Sequence, residues 1–184
     1  MSELTQLLDA VNAGDRVAID RLIEVMYHEL RQMAHRRLSA SPRRDSLETT
    51  GLVHESYLRF LKAGHLRVTD RGHFLSYASR VMRSIIVDFV RKQRAERRGG
   101  GALRVTLNTS VADEAAESEE DLIRIHEALN ELSSAEPRLV QVVEMRYFGG
   151  LEEKEIAGVL GLTERTVRRD WQKARLLLCA ALQR

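Results

Sequence analysis

Cationic and hydrogen-bonding side chains recur along residues 164–182 at spacings that place them together. On a wheel of about 100° per residue, one arc collects Arg165, Thr166, Arg168, Arg169, Gln172 and Lys173. Guanidinium and ammonium groups suit guanine edges and phosphates. The other arc collects Val167, Trp171, Ala174, Leu178 and Ala181. The segment therefore predicts a helix that packs with one face and binds nucleic acid with the other.

The residues before this helix have the spacing of a helix-turn-helix. Ala157 is small enough for a close helix crossing, and Gly161 follows four positions later, where the turn needs a positive φ. Thr163 stands where an N-cap is needed. Glu164 has two open roles, accepting from a cytosine amine or interacting with the helix dipole. A solvated basic face without a partner is the alternative interpretation of the whole segment.

A second cationic helix is predicted in the first half of the chain. Between positions 80 and 98 only Asp88 and Glu96 are acidic, whereas the bases are Arg80, Arg83, Arg91, Lys92, Arg94, Arg97 and Arg98. Apolar residues at positions 81, 85, 86, 89 and 90 supply a packing face. A polyanion is the expected partner, because neutralising phosphates releases counterions.

Helix is the predicted state of most elements that position these residues. Only two prolines interrupt the chain, and polar and apolar residues do not alternate as they do in strands. Helices are predicted over about 15–38, 47–63, 73–98, 122–132, 137–148, 152–160 and 164–182. The fold class is therefore all-α.

Two small helical domains are predicted, joined by a flexible acidic linker. Three glycines at 99–101 end the basic helix, and six of the nine residues at 113–121 are acidic without one base. We expect an N-terminal domain at 1–98, the linker at 99–121, and a C-terminal helix-turn-helix domain at 122–184.

Composition bounds the class of protein. Charged residues make up 30% and apolar residues 43%, as in soluble globular proteins, and the net charge of +2 says little about partners. The single cysteine, Cys179, allows no intrachain disulfide. The first residues do not resemble a secretory signal, and no apolar run approaches a membrane span. We therefore expect a cytoplasmic protein without membrane insertion.

An enzyme is not predicted. His54 and Glu55 begin a zincin-like HExxH pattern, but Leu58 stands in the place of the second histidine. No phosphate loop, dinucleotide fingerprint or nucleophile elbow occurs. We expect no catalytic residues, no metal and no cofactor. A stand-alone dimeric helix-turn-helix regulator is an alternative, because it would use the same C-terminal motif.

Three segments resemble the extracytoplasmic-function (ECF) sigma factors of the sigma-70 family, over nearly the whole chain. GLVHESYLRFLK resembles the helix that docks on the polymerase clamp. FLSYASRVMRSIIVDFVRKQRAERR resembles the helix that melts and reads the minus-ten element, and LVQVVEMRYFGGLEEKEIAGVLGLTERTVRRDWQKARLLL resembles the domain that reads the minus-thirty-five element. The chain has Gly51, His54 and Ser84 where the family commonly has Asp, Gln and Asn.

The resemblance implies a sigma factor that binds core RNA polymerase, through its clamp coiled coil and flap, and directs promoter recognition, DNA melting and transcription initiation. By position, the clamp contacts would be Leu52, His54, Glu55 and Leu58. The minus-ten contacts would be Arg80, Arg83, Arg91 and Lys92. The recognition-helix contacts would be Thr163, Glu164, Arg165, Thr166, Arg168, Arg169 and Lys173. An anti-sigma factor is a further partner that the resemblance leaves open, and the acidic linker would enter the polymerase active-site channel.

Overall fold

The computed structural model describes residues 3–39, 47–64, 66–98 and 119–183. Within these ranges every regular element is helical and no strand occurs, which confirms the all-α prediction. The helices are α1 (Glu3–Asn12), α2 (Arg16–Ser39), α3 (Thr49–Ala63), α4 (Arg71–Arg98), α5 (Glu119–Ala135), α6 (Pro137–Val143), α7 (Glu153–Leu160) and α8 (Glu164–Leu182). A π-helical turn, Glu144–Phe148, continues α6.

The helix α1 was not predicted from the sequence. It has only ten residues, and a helix so short is marginal in water without tertiary packing. Its Leu8 and Val11 are buried, and the helix packs against α2. Asp15 caps the N-terminus of α2, because its Oδ1 accepts hydrogen bonds from the backbone N–H groups of Val17 and Ala18 at 2.9 and 3.3 Å.

The N-terminal half, α1 to α4, is built around apolar faces of α2, α3 and α4. Helix α2 packs on α3, and α3 packs on α4. Phe60 of α3 and Phe74 of α4 are fully buried, with ring centroids 5.6 Å apart. This packing fixes the rotation of α4, and therefore decides which of its cations face outward.

The C-terminal half, α5 to α8, packs α8 against α5, α6 and α7. Helix α5 begins at Glu119, so the last three residues of the predicted linker are helical. Three acids in its first turn stabilise this start, because negative charge is favourable at a helix N-terminus. The remainder of the predicted linker, residues 99–118, lies outside the described residues.

The two halves are in direct contact. Helix α4 packs against α5, the π-helical turn and α7, and α2 also touches the π-helical turn. The buried apolar residues of both halves form one continuous cluster. The sequence had left the arrangement of the halves open.

Two kinds of feature are absent from the described residues. No helix in these ranges is both long and apolar enough to cross a membrane. The same ranges hold no group of three or more His, Cys, Asp or Glu side chains that could bind a metal ion.

Candidate nucleic-acid interface

Local hydrogen bonds fix the turn between α7 and α8. Gly161 has the left-handed φ of 64° that the sequence predicted, and the next backbone N–H, of Leu162, donates to Ala157 O at 2.9 Å. Thr163 Oγ1 accepts from the backbone N–H of Thr166 at 3.2 Å, which confirms the predicted N-cap. These two bonds close the end of α7 and cap the start of α8.

The inner face of α8 is the one that its apolar spacing predicted. Val167, Ala174 and Leu178 are buried. Trp171 is partly buried, and the Arg146 guanidinium lies 4.9 Å from the centre of its ring. This packing turns the remaining residues of α8 outward.

The outer face of α8 brings together the predicted recognition residues. Thr166 is half-buried and its neighbours on the face are exposed, namely Thr163, Glu164, Arg165, Arg168, Arg169 and Lys173. Four of these residues are cationic. One surface therefore presents guanidinium, ammonium and hydroxyl donors at the N-terminal half of a helix, which is where helix-turn-helix proteins contact base edges.

Carboxylates from the rest of the C-terminal half hold two of these cations. Glu153 accepts hydrogen bonds from Arg146 at 2.7 Å and from Arg168 at 2.8 Å. The same two bonds hold the pKa of Glu153 below its ordinary value, so it remains an anion. Lys173 Nζ lies 2.6 Å from Glu136 Oε1. The long side chains of the outer face are therefore partly positioned before any ligand binds.

A buried acid, Asp170, lies on the inner face of α8 among the apolar residues. It is only 3% exposed and accepts from Arg138 Nε at 2.7 Å and from Arg138 Nη2 at 3.3 Å. This two-point contact joins α8 to α6. It fixes the rotation of α8 about its own axis more specifically than apolar packing alone can.

The predicted minus-ten residues of α4 differ in exposure. The side chain of Arg80 is 61% exposed and that of Arg91 is 45% exposed, while Lys92 is also exposed. Arg83 is only 7% exposed, and its Nη2 lies 2.9 Å from Oε1 of the buried Glu144. Burial lowers the pKa of Arg83 and raises that of Glu144. In this arrangement Arg83 is therefore not accessible to DNA.

The predicted clamp residues lie on α3, but not all of them reach the surface. Leu52 has no exposed surface and belongs to the core. His54 is exposed, Glu55 is half-buried, and the apolar Leu58 is 43% exposed. His54 also lines an open groove between α2 and α3 that contains Tyr27 of α2.

The comparison with protein families decides the identity of the chain. A family model described as "ECF sigma factor" matches residues 1–184, the whole sequence. The chain belongs to the ECF sigma factor family. ECF sigma factors are transcription initiation factors that act with RNA polymerase and promoter DNA, and often with anti-sigma factors. Among curated proteins, none matches this sigma factor by sequence.

The sequence did not single out the acids that organise this sigma factor. Glu136, between α5 and α6, pairs with Lys173 of α8, Glu153 of α7 pairs with Arg168 of α8, and Asp170 of α8 pairs with Arg138 of α6. A fourth acid, Glu144, could have been found from the sequence, because it is the one charged residue within the largely apolar run LVQVVEM. A charge in such a run predicts a buried partner, but its identity depends on tertiary contacts.

Proposed function

We propose that this sigma factor binds core RNA polymerase and directs promoter recognition, DNA melting and initiation. One observation supports the proposal most directly: α8 presents four cations on an exposed face while its apolar face is buried. A helix of this kind fits the major groove, where its first turns reach base edges and its later cations reach phosphates.

In the proposed complex, the residues of α8 divide between two tasks. Arg165, Arg168 and Arg169 have the fork geometry for guanine edges or phosphates, while Lys173 acts as a point charge toward the backbone. Thr163, Glu164 and Thr166 lie at the N-terminal end, closest to the floor of the groove. Glu153 would keep Arg168 extended, which lowers the entropy lost on binding.

The N-terminal half would bind the minus-ten element through α4. Arg80, Arg91 and Lys92 are the exposed cations for this task. Arg83 would join them only after its contact with Glu144 is broken. Because each neutralised phosphate releases counterions, the affinity of this surface depends on salt.

The surface proposed for the polymerase clamp lies on α3. His54, Glu55 and Leu58 would contact the coiled coil, and Leu52 would support them from the core. The exposed apolar Leu58 beside an acid suits a partner helix that has both apolar and basic residues. The C-terminal domain would contact the flap, and an anti-sigma factor would compete for either surface.

A double variant of α8 tests the recognition surface. Replacing Arg168 and Arg169 with Ala should lower promoter affinity of the holoenzyme about ten-fold or more and reduce the slope of log affinity against log salt by up to about 2. Fluorescence anisotropy over a salt series measures both. Arg31→Ala, which removes an exposed cation from α2, is the matched control. Unchanged promoter affinity in the double variant would contradict the proposal that α8 binds promoter DNA.

A double variant of α3 tests the polymerase surface. Glu55→Ala with Leu58→Asp should weaken binding to core polymerase about ten-fold or more, since the centre of an interface carries most of its energy. Val17→Asp, at a 74% exposed position of α2, is the control. Holoenzyme formation at wild-type affinity would contradict the proposed surface. Tight binding of a palindrome by the protein alone, without binding to polymerase, would instead favour a dimeric regulator.

A further inference from the structure

A single carboxylate of α7 lies between two arginines at the edge of the outer face of α8. Glu153 Oε1 accepts from Arg146 Nη1 at 2.7 Å. Glu153 Oε2 accepts from Arg168 Nε at 3.1 Å and from Arg168 Nη2 at 2.8 Å. The Glu153 side chain is only 20% exposed, whereas Arg168 is exposed. An acid therefore lies beside the surface proposed for DNA, where an anion without a cationic partner would repel phosphates.

Arg146 is held on its other side by an aromatic ring. Its guanidinium lies 4.9 Å from the centre of the Trp171 ring, and Trp171 packs against the apolar core. Arg146 belongs to the π-helical turn, Glu153 to α7 and Arg168 to α8. Three consecutive elements therefore contribute to one series of contacts that runs from the core to the surface. The positive charge of Arg146 offsets that of Glu153, so the surface keeps the charge of Arg168.

The contact with Glu153 occupies one edge of the Arg168 guanidinium and leaves another edge available. A guanidinium carries one N–H on Nε and two on each Nη nitrogen, all in one plane. Glu153 accepts from Nε and from Nη2 of Arg168. The edge formed by Nη1 and the second N–H of Nη2 is directed away from this carboxylate, because the group is planar. Two parallel donors on such an edge match O6 and N7 of a guanine.

Two other cations of the outer face are held differently. Lys173 Nζ lies 2.6 Å from Glu136 Oε1, but an ammonium group has no planar edge to orient. Arg169 Nε lies 3.8 Å from Asp170 Oδ1, which is beyond hydrogen-bond distance. Of these three cations, Arg168 is the one whose guanidinium plane is fixed by two hydrogen bonds.

We propose that Glu153 is a positioning residue that makes Arg168 the guanine-reading residue of α8, while Arg169 and Lys173 contact phosphates. The inference rests on the proposed function of α8. An arginine that is ordered before binding loses less rotamer freedom when it meets a base. An arginine held in one plane also fits fewer alternative partners. Glu153 therefore lowers the general attraction of this face to DNA and raises its discrimination between base pairs.

A positioning role and a purely electrostatic role predict different results for Glu153→Gln. The variant keeps the size of the side chain, but it removes the charge and leaves one acceptor oxygen for two arginines. If Glu153 only repelled phosphates, the variant would raise holoenzyme affinity for every duplex by the same factor. If Glu153 positions Arg168, affinity for random duplex rises while the preference for one guanine falls.

Selection from a random duplex library by the holoenzyme measures this preference. The wild-type chain should enrich a G·C pair at one position of the upstream element, and 7-deazaguanine at that position, which lacks N7, should weaken binding. Glu153→Gln should lower the preference for guanine over adenine there about three-fold or more. Glu136→Gln is the matched control, because it removes the acid that holds Lys173. It should leave the guanine preference unchanged.

A double variant shows whether Glu153 acts through Arg168. Arg168→Ala should abolish the guanine preference. Adding Glu153→Gln to it should then change the affinities for the guanine and adenine duplexes by the same factor. A further loss of affinity for the guanine duplex alone would show that Glu153 acts by another route and would overturn the inference.

Nuclear magnetic resonance of the free protein tests the positioning without DNA, and the same spectra show that each variant is folded. The order parameter of the Arg168 Nε–H group should fall below about 0.6 in Glu153→Gln and stay at the wild-type value in Glu136→Gln. An order parameter or a guanine preference that Glu153→Gln leaves unchanged would overturn the inference, and so would equal losses of guanine preference in the two Gln variants. A wild-type holoenzyme that selects no sequence would instead reject the proposed function of α8. The order parameter would then still decide whether Glu153 positions Arg168.

Discussion

At the scale of single residues, the buried acid Asp170 joins α8 to α6. Asp170 is 3% exposed, whereas the side chain of its partner Arg138 is 52% exposed. The two partners therefore differ in whether water can hydrate the charge that remains when the other partner is removed. Arg138 can be rehydrated, but Asp170 cannot without movement of α8. The orientation of the outer face of α8 depends on this unequal pair.

Arg138→Ala should therefore lower the free energy of unfolding by about 2 kcal/mol, because it leaves a buried carboxylate without its two strongest donors. Arg169→Ala should cost much less, since the Arg169 guanidinium is exposed and lies 3.8 Å from Asp170. Urea denaturation followed by circular dichroism measures both values. Equal stability of the two variants would show that Arg138 does not hold Asp170.

At the scale of elements, the turn between α7 and α8 relies on one glycine. Gly161 has φ of +64°, and nothing lies within 4 Å of a Cβ placed there. Any cost of a side chain at this position would therefore come from backbone conformation and not from collision. The direction in which α8 leaves α7 follows from that conformation.

Gly161→Ala should destabilise the fold by about 1 kcal/mol, and Gly161→Asn by less, since Asn tolerates the left-handed region. Gly158→Ala is a matched control, and it should stabilise the fold instead of destabilising it. Gly158 also has open space around its Cβ but lies within α7, where Ala is favoured by about 1 kcal/mol. Thermal and urea unfolding would measure the three differences. Destabilisation by Gly158→Ala of equal size would contradict the conformational argument.

Helix prediction was accurate where apolar spacing or clear start and stop residues marked the segment. Helices α2, α3, α4, α7 and α8 were predicted to within two residues at each end, whereas the helix predicted for α5 was three residues too short at each end. Helix α1 was missed. The 137–148 segment was predicted as one helix, but its last five residues form a π-helical turn. Periodicity alone cannot separate these two helical forms.

At the scale of the whole molecule, His126 lies at the contact between the halves. Burial lowers its pKa from the ordinary 6.5, and the charges of Arg83 and Arg91 lower it further, while Asp88 and Glu127 oppose them. Separation of the halves would restore a more ordinary pKa. Between its two pKa values, His126 therefore binds fewer protons when the halves are in contact than when they are apart, so its titration on acidification favours separation. Glu144 acts in the opposite direction, because burial at the same contact raises its pKa.

Spin labels on cysteines at the exposed positions 28 and 176, in a Cys179→Ser background, report the distance between the halves. As the pH falls from about 8 to about 5.5, this distance should lengthen in a larger share of the population when His126 is present than in His126→Asn, which lacks the titrating group. Double electron–electron resonance at several pH values provides the measurement. A pH response of equal size in His126→Asn would assign the effect to another titratable group.

Candidate site residues were predictable when their role depends on one helix, and less so when it depends on two. The outward position of Arg165, Arg168 and Arg169 follows from the spacing of α8 alone. Leu52 and Arg83 were expected at functional surfaces, yet both are buried. Leu52 is buried by its own half of the chain, and Arg83 is buried by the other half. Exposure of such residues depends on neighbours that are distant in sequence.

The sequence by itself determined the helical class, the cationic face of α8 and the family, because each depends on local spacing or on motifs along the chain. Only the tertiary structure decided which cations are paired and that the halves are in contact. A charge pair such as Arg83 and Glu144 joins residues 61 positions apart. Its formation depends on burial of both charges in one place, and no periodicity in the chain encodes that coincidence.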